Sequence, residues 1–207
     1  MLAGKSKSVL AILLALALTA LLAASAAGTA ERRVIVMLGD SLTAGNDWTG
    51  SFPSSRYPHL KIHNMGISGN TTIDIIRRLD EVIALKPDSI FFQAGINDFG
   101  ATGSRRGIVE RHKAIWRELR ESLPGVRIQV ISLLPLAEEK YPGINAKIRD
   151  VNVQLKEEAE KSGLVFIDLY RPLADSHGSL PDDFTFDGVH LKAPAYERWI
   201  EAIRPYI

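Results

Sequence analysis

Short apolar runs alternate with longer amphipathic segments along this chain, and this alternation constrains the fold more than any other feature. The apolar runs have the length of buried strands; they cover residues 33–38, 60–64, 89–94, 126–133 and 164–168. The amphipathic segments carry apolar residues on one helical face; they cover residues 72–85, 107–123, 145–162 and 193–203. Strands that alternate with helices favour an α/β fold, in which a parallel sheet has helices on both faces.

Polar segments follow three of the predicted strands. Gly39-Asp40-Ser41, residues 66–70 and residues 95–97 each come directly after a strand. The carboxyl ends of the strands form the edge at which open α/β sheets bind ligands. Asp187 and His190 lie in a long loop before the last helix. We therefore expect all of these segments to reach the same edge.

Residues 1–30 have the layout of a secretory signal. Lys5 and Lys7 precede a long uncharged segment rich in leucine and alanine, and Ala24-Ser25-Ala26 fits a signal-peptidase cleavage site. Because about 20 apolar residues can span a bilayer, an uncleaved membrane anchor is the alternative. In both cases the rest of the chain is exported, to the periplasm or beyond. We predict one domain over residues 31–207.

The charge balance and the missing cysteine narrow the range of functions. The full chain has 25 Lys and Arg against 24 Asp and Glu, and without the two lysines of the leader the balance is 23 against 24. A near-neutral chain indicates neither a nucleic acid nor an anionic membrane as partner. The lack of cysteine excludes thiolate chemistry and Cys-ligated zinc. No phosphate-binding glycine motif occurs, so we expect no nucleotide cofactor, and no other cofactor or metal is indicated.

Ser41, His190 and Asp187 have the residue types of a hydrolytic triad. A serine hydroxyl is a weak nucleophile at neutral pH and needs a base, which His190 can supply. Asp187 can hold the imidazole in the productive tautomer and stabilise the imidazolium that forms during attack. We also expect Gly39 to allow an unusual backbone conformation just before the nucleophile.

Four sequence blocks carry a resemblance to a known family. They are Gly39-Asp40-Ser41-Leu42-Thr43-Ala44-Gly45, Asn64-Met65-Gly66-Ile67-Ser68-Gly69-Asn70-Thr71, Gly95-Ile96-Asn97-Asp98 and Asp187-Gly188-Val189-His190. In this order they resemble the blocks of the SGNH, or GDSL, hydrolase family, and they span nearly all of the chain after the leader. Ile96 stands where the family more often has glycine or threonine, which leaves Asn97 in its position.

The resemblance implies a flavodoxin-like three-layer α/β/α fold with a five-stranded parallel sheet, and hydrolysis of esters or thioesters. It implies that Ser41 is the nucleophile and that His190 and Asp187 complete the triad. It also implies an oxyanion hole made by the backbone N–H groups of Ser41 and Gly69 and the side-chain amide of Asn97. Donors aimed at the oxyanion are often the largest catalytic contribution. Because Gly69 has no Cβ, we expect its amide to approach the substrate closely.

The sequence favours an exported serine esterase that hydrolyses small acyl esters, with acetyl esters of carbohydrates as the first candidates. The partner would be a small-molecule ester, since the segments between the blocks are short and contain no obvious lid. Two alternatives stay open: a lysophospholipase or thioesterase of the same family, and a non-catalytic glycan-binding module on this fold. In a lipid-active enzyme, Leu42 and Ile67 would form an acyl groove with nearby aromatic residues.

Several aromatic residues and histidines outside the triad have more than one interpretation. Six aromatic residues in the loop segments could stack on a sugar, line an acyl pocket or cover the sheet edge; they are Trp48, Phe52, Tyr57, Phe99, Phe184 and Phe186. Trp116 and Trp199 lie in helical segments and are expected in the core. His112 lies in a charged helical segment and is expected to face solvent. His59 and His63 fall around the predicted strand that starts after Pro58. Their i, i+4 spacing would bring two ligands together only on a helix, so it does not indicate a metal site here.

Overall fold

A parallel sheet of five strands forms the centre of the fold. The computed structural model describes residues 32–101 and 104–207, and the predicted leader, residues 1–30, lies outside them. The strands are β1 (Arg33–Gly39), β2 (Leu60–Gly66), β3 (Ser89–Gln93), β4 (Arg127–Ile131) and β5 (Val165–Ile167). Their order in the sheet is β2-β1-β3-β4-β5, and every neighbouring pair is parallel. The predicted five-stranded parallel sheet is confirmed.

Helices precede and follow the strands along the chain. In the described ranges the α-helices are α1 (Ser41–Ala44), α2 (Trp48–Ser51), α3 (Thr72–Arg77), α4 (Leu79–Ala84), α5 (Ile96–Ala101), α6 (Arg105–Ser122), α7 (Ile144–Lys161), α8 (Tyr170–Leu173) and α9 (Ala193–Ile203). The helices predicted over residues 107–123, 145–162 and 193–203 correspond to α6, α7 and α9. Across residues 32–101 and 104–207, no helix combines the length and the apolar character needed to cross a bilayer.

The single helix predicted over residues 72–85 is wrong, because the structure has two helices, α3 and α4, separated at Arg78. Arg78 leaves the helical conformation, with φ −120° and ψ 17°. Its guanidinium donates from Nη2 to the carbonyl oxygen of Gly39 at 2.9 Å and from Nε to Oδ1 of Asn70 at 2.8 Å. Gly39 is 39 positions and Asn70 eight positions from Arg78, and apolar periodicity reports neither polar contact.

Alternating side chains of the strands face two separate apolar layers. In β1, Val36 and Leu38 belong to one buried cluster, whereas Ile35 and Met37 belong to the other. The first cluster also contains residues of α3, α4, α6 and α7, and the second contains residues of α1, α2 and α9. The fold is therefore a three-layer α/β/α sandwich, as expected.

His112 is buried in the first layer, and the expected solvent exposure is wrong. Its ring lies 4.8 Å from that of Phe92 between centroids, and its Nδ1 lies 2.9 Å from the carbonyl oxygen of Ile108. Burial lowers the pKa of His112 to about 4, because an imidazolium in the core loses its hydration. Trp116 and Trp199 are buried as expected.

Two glycines allow helix α1 to lie directly against the end of the sheet. A Cβ on Gly66 would come within 2.3 Å of the backbone nitrogen of Ala44, and one on Gly39 within 2.4 Å of the carbonyl oxygen of Gln93. Gly39 does not have a positive φ, so the expectation of an unusual backbone there is wrong. The glycine is required by the close approach of neighbouring backbone, which places α1 and its first residue, Ser41, at the carboxyl edge of the sheet.

Candidate active site

Ser41 is the first residue of α1, just beyond the carboxyl end of β1, which lies between β2 and β3 in the sheet. Asp40 caps this helix: its Oδ1 accepts a hydrogen bond from the backbone N–H of Leu42 at 3.0 Å. Asp40 is fully buried, whereas Ser41 is only partly buried. The buried Asp40 side chain therefore fixes the start of the helix from the protein interior, while the hydroxyl of Ser41 lies at the surface.

The structure brings Ser41, His190 and Asp187 together. Nε2 of His190 lies 3.1 Å from Oγ of Ser41, across 149 positions of sequence. Nδ1 of His190 lies 2.7 Å from Oδ2 of Asp187. Both separations are hydrogen-bond distances. With a carboxylate accepting at Nδ1, the network assigns the ring hydrogen to Nδ1 and leaves Nε2 able to accept from the hydroxyl.

Asp187 is held as an acceptor on both of its oxygens. Besides the bond to His190, its Oδ1 accepts from the backbone N–H groups of Val189 at 2.9 Å and His190 at 2.8 Å. The hydrogen bond from the His190 ring is the main cause that lowers the pKa of Asp187 to about 2, and the two backbone donors add to it. The carboxylate is therefore ionised at neutral pH, and its half-exposed position also favours the charge.

A short turn fixes where the imidazole points. Thr185 and Leu191 form an isolated antiparallel bridge, and the hydroxyl of Thr185 donates to the carbonyl oxygen of His190 at 2.8 Å. The same hydroxyl accepts from the N–H of Gly188 at 2.9 Å. Gly188 has φ +92°, a conformation that favours glycine. Asp187 and His190 therefore lie in a turn whose conformation is fixed by several hydrogen bonds.

The two loops expected to bind an oxyanion are tied to each other and to β1. Asn97 Nδ2 donates one hydrogen to the carbonyl oxygen of Asn70 at 2.9 Å, which leaves its second amide hydrogen available. The N–H of Ile67 donates to the carbonyl oxygen of Gly39 at 3.1 Å. Gly69 has φ +79°, and in residues 32–101 and 104–207 no atom beyond its two chain neighbours lies within 4 Å of where its Cβ would be. The left-handed backbone, not a crowded approach, is what this position requires of glycine.

Arg78 and Asp98 support these loops from within the protein, and no sequence pattern predicted this role for Arg78. The guanidinium of Arg78 joins Gly39, before the nucleophile, to Asn70, in the oxyanion loop. Asp98 is buried and accepts from the backbone N–H of Thr72 at 2.9 Å and from Arg111 at 2.8 Å. The features that distinguish Arg78 are its burial and the break in the helix at its position. Both are visible only in the tertiary structure.

The six aromatic residues near the predicted site occupy different environments. Trp48 and Phe52 are buried in the second apolar layer, where the rings of Trp48 and Trp199 are 5.3 Å apart. Tyr57, Phe99 and Phe184 are partly buried against the core. Phe186 is exposed. Five of the six thus cover the sheet, and one remains available to a ligand.

Among the described residues, no group of three or more His, Asp and Glu side chains is arranged to hold a metal ion. His63 lies on β2, and burial is the main cause that lowers its pKa. His59 precedes β2 and lies near the ring of Tyr57.

Two buried titratable groups should give this protein opposing pH dependences of stability. Burial raises the pKa of Asp40 from 3.8 to about 7, and its Oδ2 has no hydrogen-bond partner in the described part of the chain. Between about pH 4 and pH 7 the folded state keeps a proton on Asp40 that the unfolded chain has lost. The contribution of Asp40 to stability therefore declines as the pH rises through this range. His112 behaves oppositely: the unfolded chain binds a proton that the folded state excludes, so stability declines as the pH falls from 6.5 to about 4.

Substitution should separate the two contributions. For each variant, the quantity of interest is its free energy of unfolding minus that of the wild type. As the pH rises from 4 to 7, this difference should increase for Asp40→Asn and decrease for His112→Phe, each by on the order of 3 kcal/mol. Asparagine retains the helix cap, and phenylalanine retains the ring volume. Urea unfolding at four pH values measures both differences. A difference that stays constant with pH for either variant would contradict the assigned burial effect.

Comparison with known proteins decides the family. The model of the GDSL-like Lipase/Acylhydrolase family matches residues 37–198, which include Ser41 and His190. This chain belongs to that family. It is accordingly a hydrolase of the esterase type, and the family that the four blocks resemble is confirmed.

Solved structures share the fold. A proposed platelet activating factor from Streptococcus pneumonia is 26% identical, with 86% of this chain and 85% of that chain covered and a TM-score of 0.75. A GDSL-like lipase from Bacteroides thetaiotaomicron is 23% identical, with coverages of 84% and 87% and a TM-score of 0.72. An acetyl xylan esterase is 16% identical, with coverages of 84% and 99% and a TM-score of 0.71. A comparison with curated protein sequences found no match.

Proposed function

We propose that this family member is an exported serine esterase that removes small acyl groups, acetyl foremost, from hydroxyl groups of carbohydrates through an acyl-enzyme. One observation carries the proposal: hydrogen-bond distances run without a gap from the Asp187 carboxylate through the His190 ring to the Ser41 hydroxyl. Export is proposed from the leader sequence alone, and the N-terminal mass of the exported protein would test it.

In the proposed reaction, Oγ of Ser41 attacks the ester carbonyl carbon and its proton passes to Nε2 of His190. The carbonyl π electrons move onto the oxygen, which becomes an oxyanion. Asp187 remains ionised and stabilises the imidazolium, in keeping with its lowered pKa. When the tetrahedral intermediate collapses, the C–O bond to the alcohol breaks and Nε2 returns its proton to the leaving oxygen. Water then repeats the sequence on the acyl-enzyme and releases the carboxylic acid.

The oxyanion would be held by the backbone N–H groups of Ser41 and Gly69 and by the second amide hydrogen of Asn97. The bond from Asn97 to the carbonyl oxygen of Asn70 already orients this amide, so little reorganisation is required during the reaction. Arg78 ties the same loop to the strand that precedes the nucleophile. The donors are thus fixed relative to the attacking oxygen.

The Asn97→Ala variant should lower kcat by about 10² to 10³ and change KM little, because the donated bond matters mainly in the transition state. Steady-state kinetics with an acetyl ester measures this. Gln154→Ala, which removes an exposed amide on α7, serves as control. An effect confined to KM would contradict the assigned role.

A small acyl group is supported by the openness of the site. The side chains of Asp187 and His190 are both half exposed, and Trp48 and Phe52 are committed to the core, so they do not line an acyl tunnel. The fold is also shared with a protein described as an acetyl xylan esterase.

A lipid-active enzyme is the second candidate, and one observation favours it: Ile67, on the loop that carries the oxyanion donor Gly69, is an exposed apolar side chain. Initial rates on p-nitrophenyl esters from acetyl to decanoyl decide between the two. We expect the largest kcat/KM at acetyl. A maximum beyond octanoyl would instead favour the lipid-active enzyme.

A further inference from the structure

Phe186 exposes more of its side chain than any other large apolar residue in the described part of the chain. It is 72% exposed, compared with 58% for Val153 and 44% for Ile67. Single exposed apolar residues are common on protein surfaces, so exposure alone argues nothing. The position of Phe186 beside the proposed base is what distinguishes it.

The turn that carries His190 places Phe186 next to it. Thr185 pairs with Leu191 in the antiparallel bridge, and both side chains are buried. The N–H of Phe186 donates to the carbonyl oxygen of His190 at 3.0 Å. Phe186 therefore lies directly opposite His190 across the turn, and the two backbones are joined by this hydrogen bond.

A second contact holds the ring in place. Nζ of Lys192 lies 5.8 Å from the ring centroid of Phe186, within the range of a cation–π interaction. The same ammonium group donates to the carbonyl oxygen of Asp182 at 2.8 Å. The ring is thus fixed on one side by a neighbour that is itself anchored, and most of its surface is left to solvent.

The reaction mechanism determines which part of the substrate lies beside His190. The carbonyl oxygen must point towards the oxyanion donors, whereas the leaving alcohol oxygen must lie near Nε2, which protonates it. A residue next to His190 therefore meets the alcohol portion of the ester and not the acyl chain.

We propose that Phe186 is a stacking platform for a sugar ring in the alcohol portion of the substrate. The proposal deepens the esterase function proposed above and rests on it. The C–H groups on one face of a pyranose are apolar and match an exposed aromatic face, while the hydroxyl groups at the ring edge keep their hydration. Because the binding energy would be present in both the bound substrate and the transition state, Phe186 acts mainly through KM.

The test compares two acetyl esters that differ only in their alcohol. Relative to the wild type, Phe186→Leu should lower the ratio of kcat/KM for an acetylated methyl xyloside to that for ethyl acetate by about five- to tenfold, the size expected for one aromatic contact. Phe186→Trp should keep or raise the ratio. Val153→Ala, which alters an exposed apolar residue on α7, should leave it unchanged. A ratio that Phe186→Leu does not change would overturn the proposal, whether or not both absolute rates fall.

A binding measurement separates this proposal from the esterase function. In the Ser41→Ala background, saturation-transfer NMR should detect the acetylated methyl xyloside bound to Phe186 and weaker transfer after Phe186→Leu. Equal transfer in the two proteins would overturn the platform. If the wild type hydrolyses neither ester, the esterase function fails, and the NMR comparison still decides whether Phe186 binds the sugar.

Discussion

Replacing Ser41 with alanine should abolish ester hydrolysis, with kcat falling by about 10⁶, the size seen when a triad nucleophile is removed. The hydroxyl is hydrogen bonded to Nε2 of His190 at 3.1 Å, and its loss removes the only atom that can form the acyl-enzyme in the proposed mechanism. The helix that begins at Ser41 is capped by Asp40 and not by the serine side chain. We therefore expect the melting temperature to stay close to that of the wild type.

Kinetics with an acetyl ester and labelling by a fluorophosphonate probe both measure this loss. The wild type should be labelled, and so should Ser55→Ala, in which an exposed serine of another loop is removed. Ser41→Ala should remain unlabelled. If the folded wild type is not labelled either, a non-catalytic glycan-binding module becomes the better description of the chain.

Replacing Asp187 with asparagine should lower kcat by about 10⁴, because the amide reverses the polarity of one hydrogen bond. Its oxygen can still accept from the backbone N–H groups of Val189 and His190, which now hold Oδ1. Its NH₂ group then faces Nδ1 of His190 and donates to it. The ring hydrogen moves to Nε2, which can no longer accept the proton of Ser41.

The matched control for this variant is Asp183→Asn, an exposed aspartate in the same long loop. Both proteins should unfold at similar denaturant concentrations, so a difference in kcat reports the tautomer and not the fold. A reduction of less than tenfold in Asp187→Asn would show that the carboxylate does not orient the imidazole. Since the pKa of Asp187 is lowered to about 2, we expect its own protonation to leave the wild-type rate unaffected down to about pH 4.

Local sequence patterns were sufficient to predict a feature wherever it depends on contacts between residues close in sequence or on a pattern with a fixed period. Helix α9 begins and ends where its apolar face predicts, and the strands lie where the apolar runs lie. The pairing of Asp187 with His190 is also local, since both belong to one turn of four residues. The sequence could not predict the break at Arg78 or the burial of His112. Both depend on partners that lie elsewhere in the fold.

The amino-acid sequence alone determined the layered fold, the family and the types of side chain that meet at the edge of the sheet. Hydrophobic periodicity and the order of the four blocks are properties of the linear sequence, so they can be read without the tertiary structure. Only the tertiary structure decided that Nε2 of His190 reaches Oγ of Ser41 and that Phe186 alone among six aromatic residues stays exposed. The physical reason is that both outcomes depend on how helices and turns pack around a sheet. Packing brings together side chains that no local pattern relates.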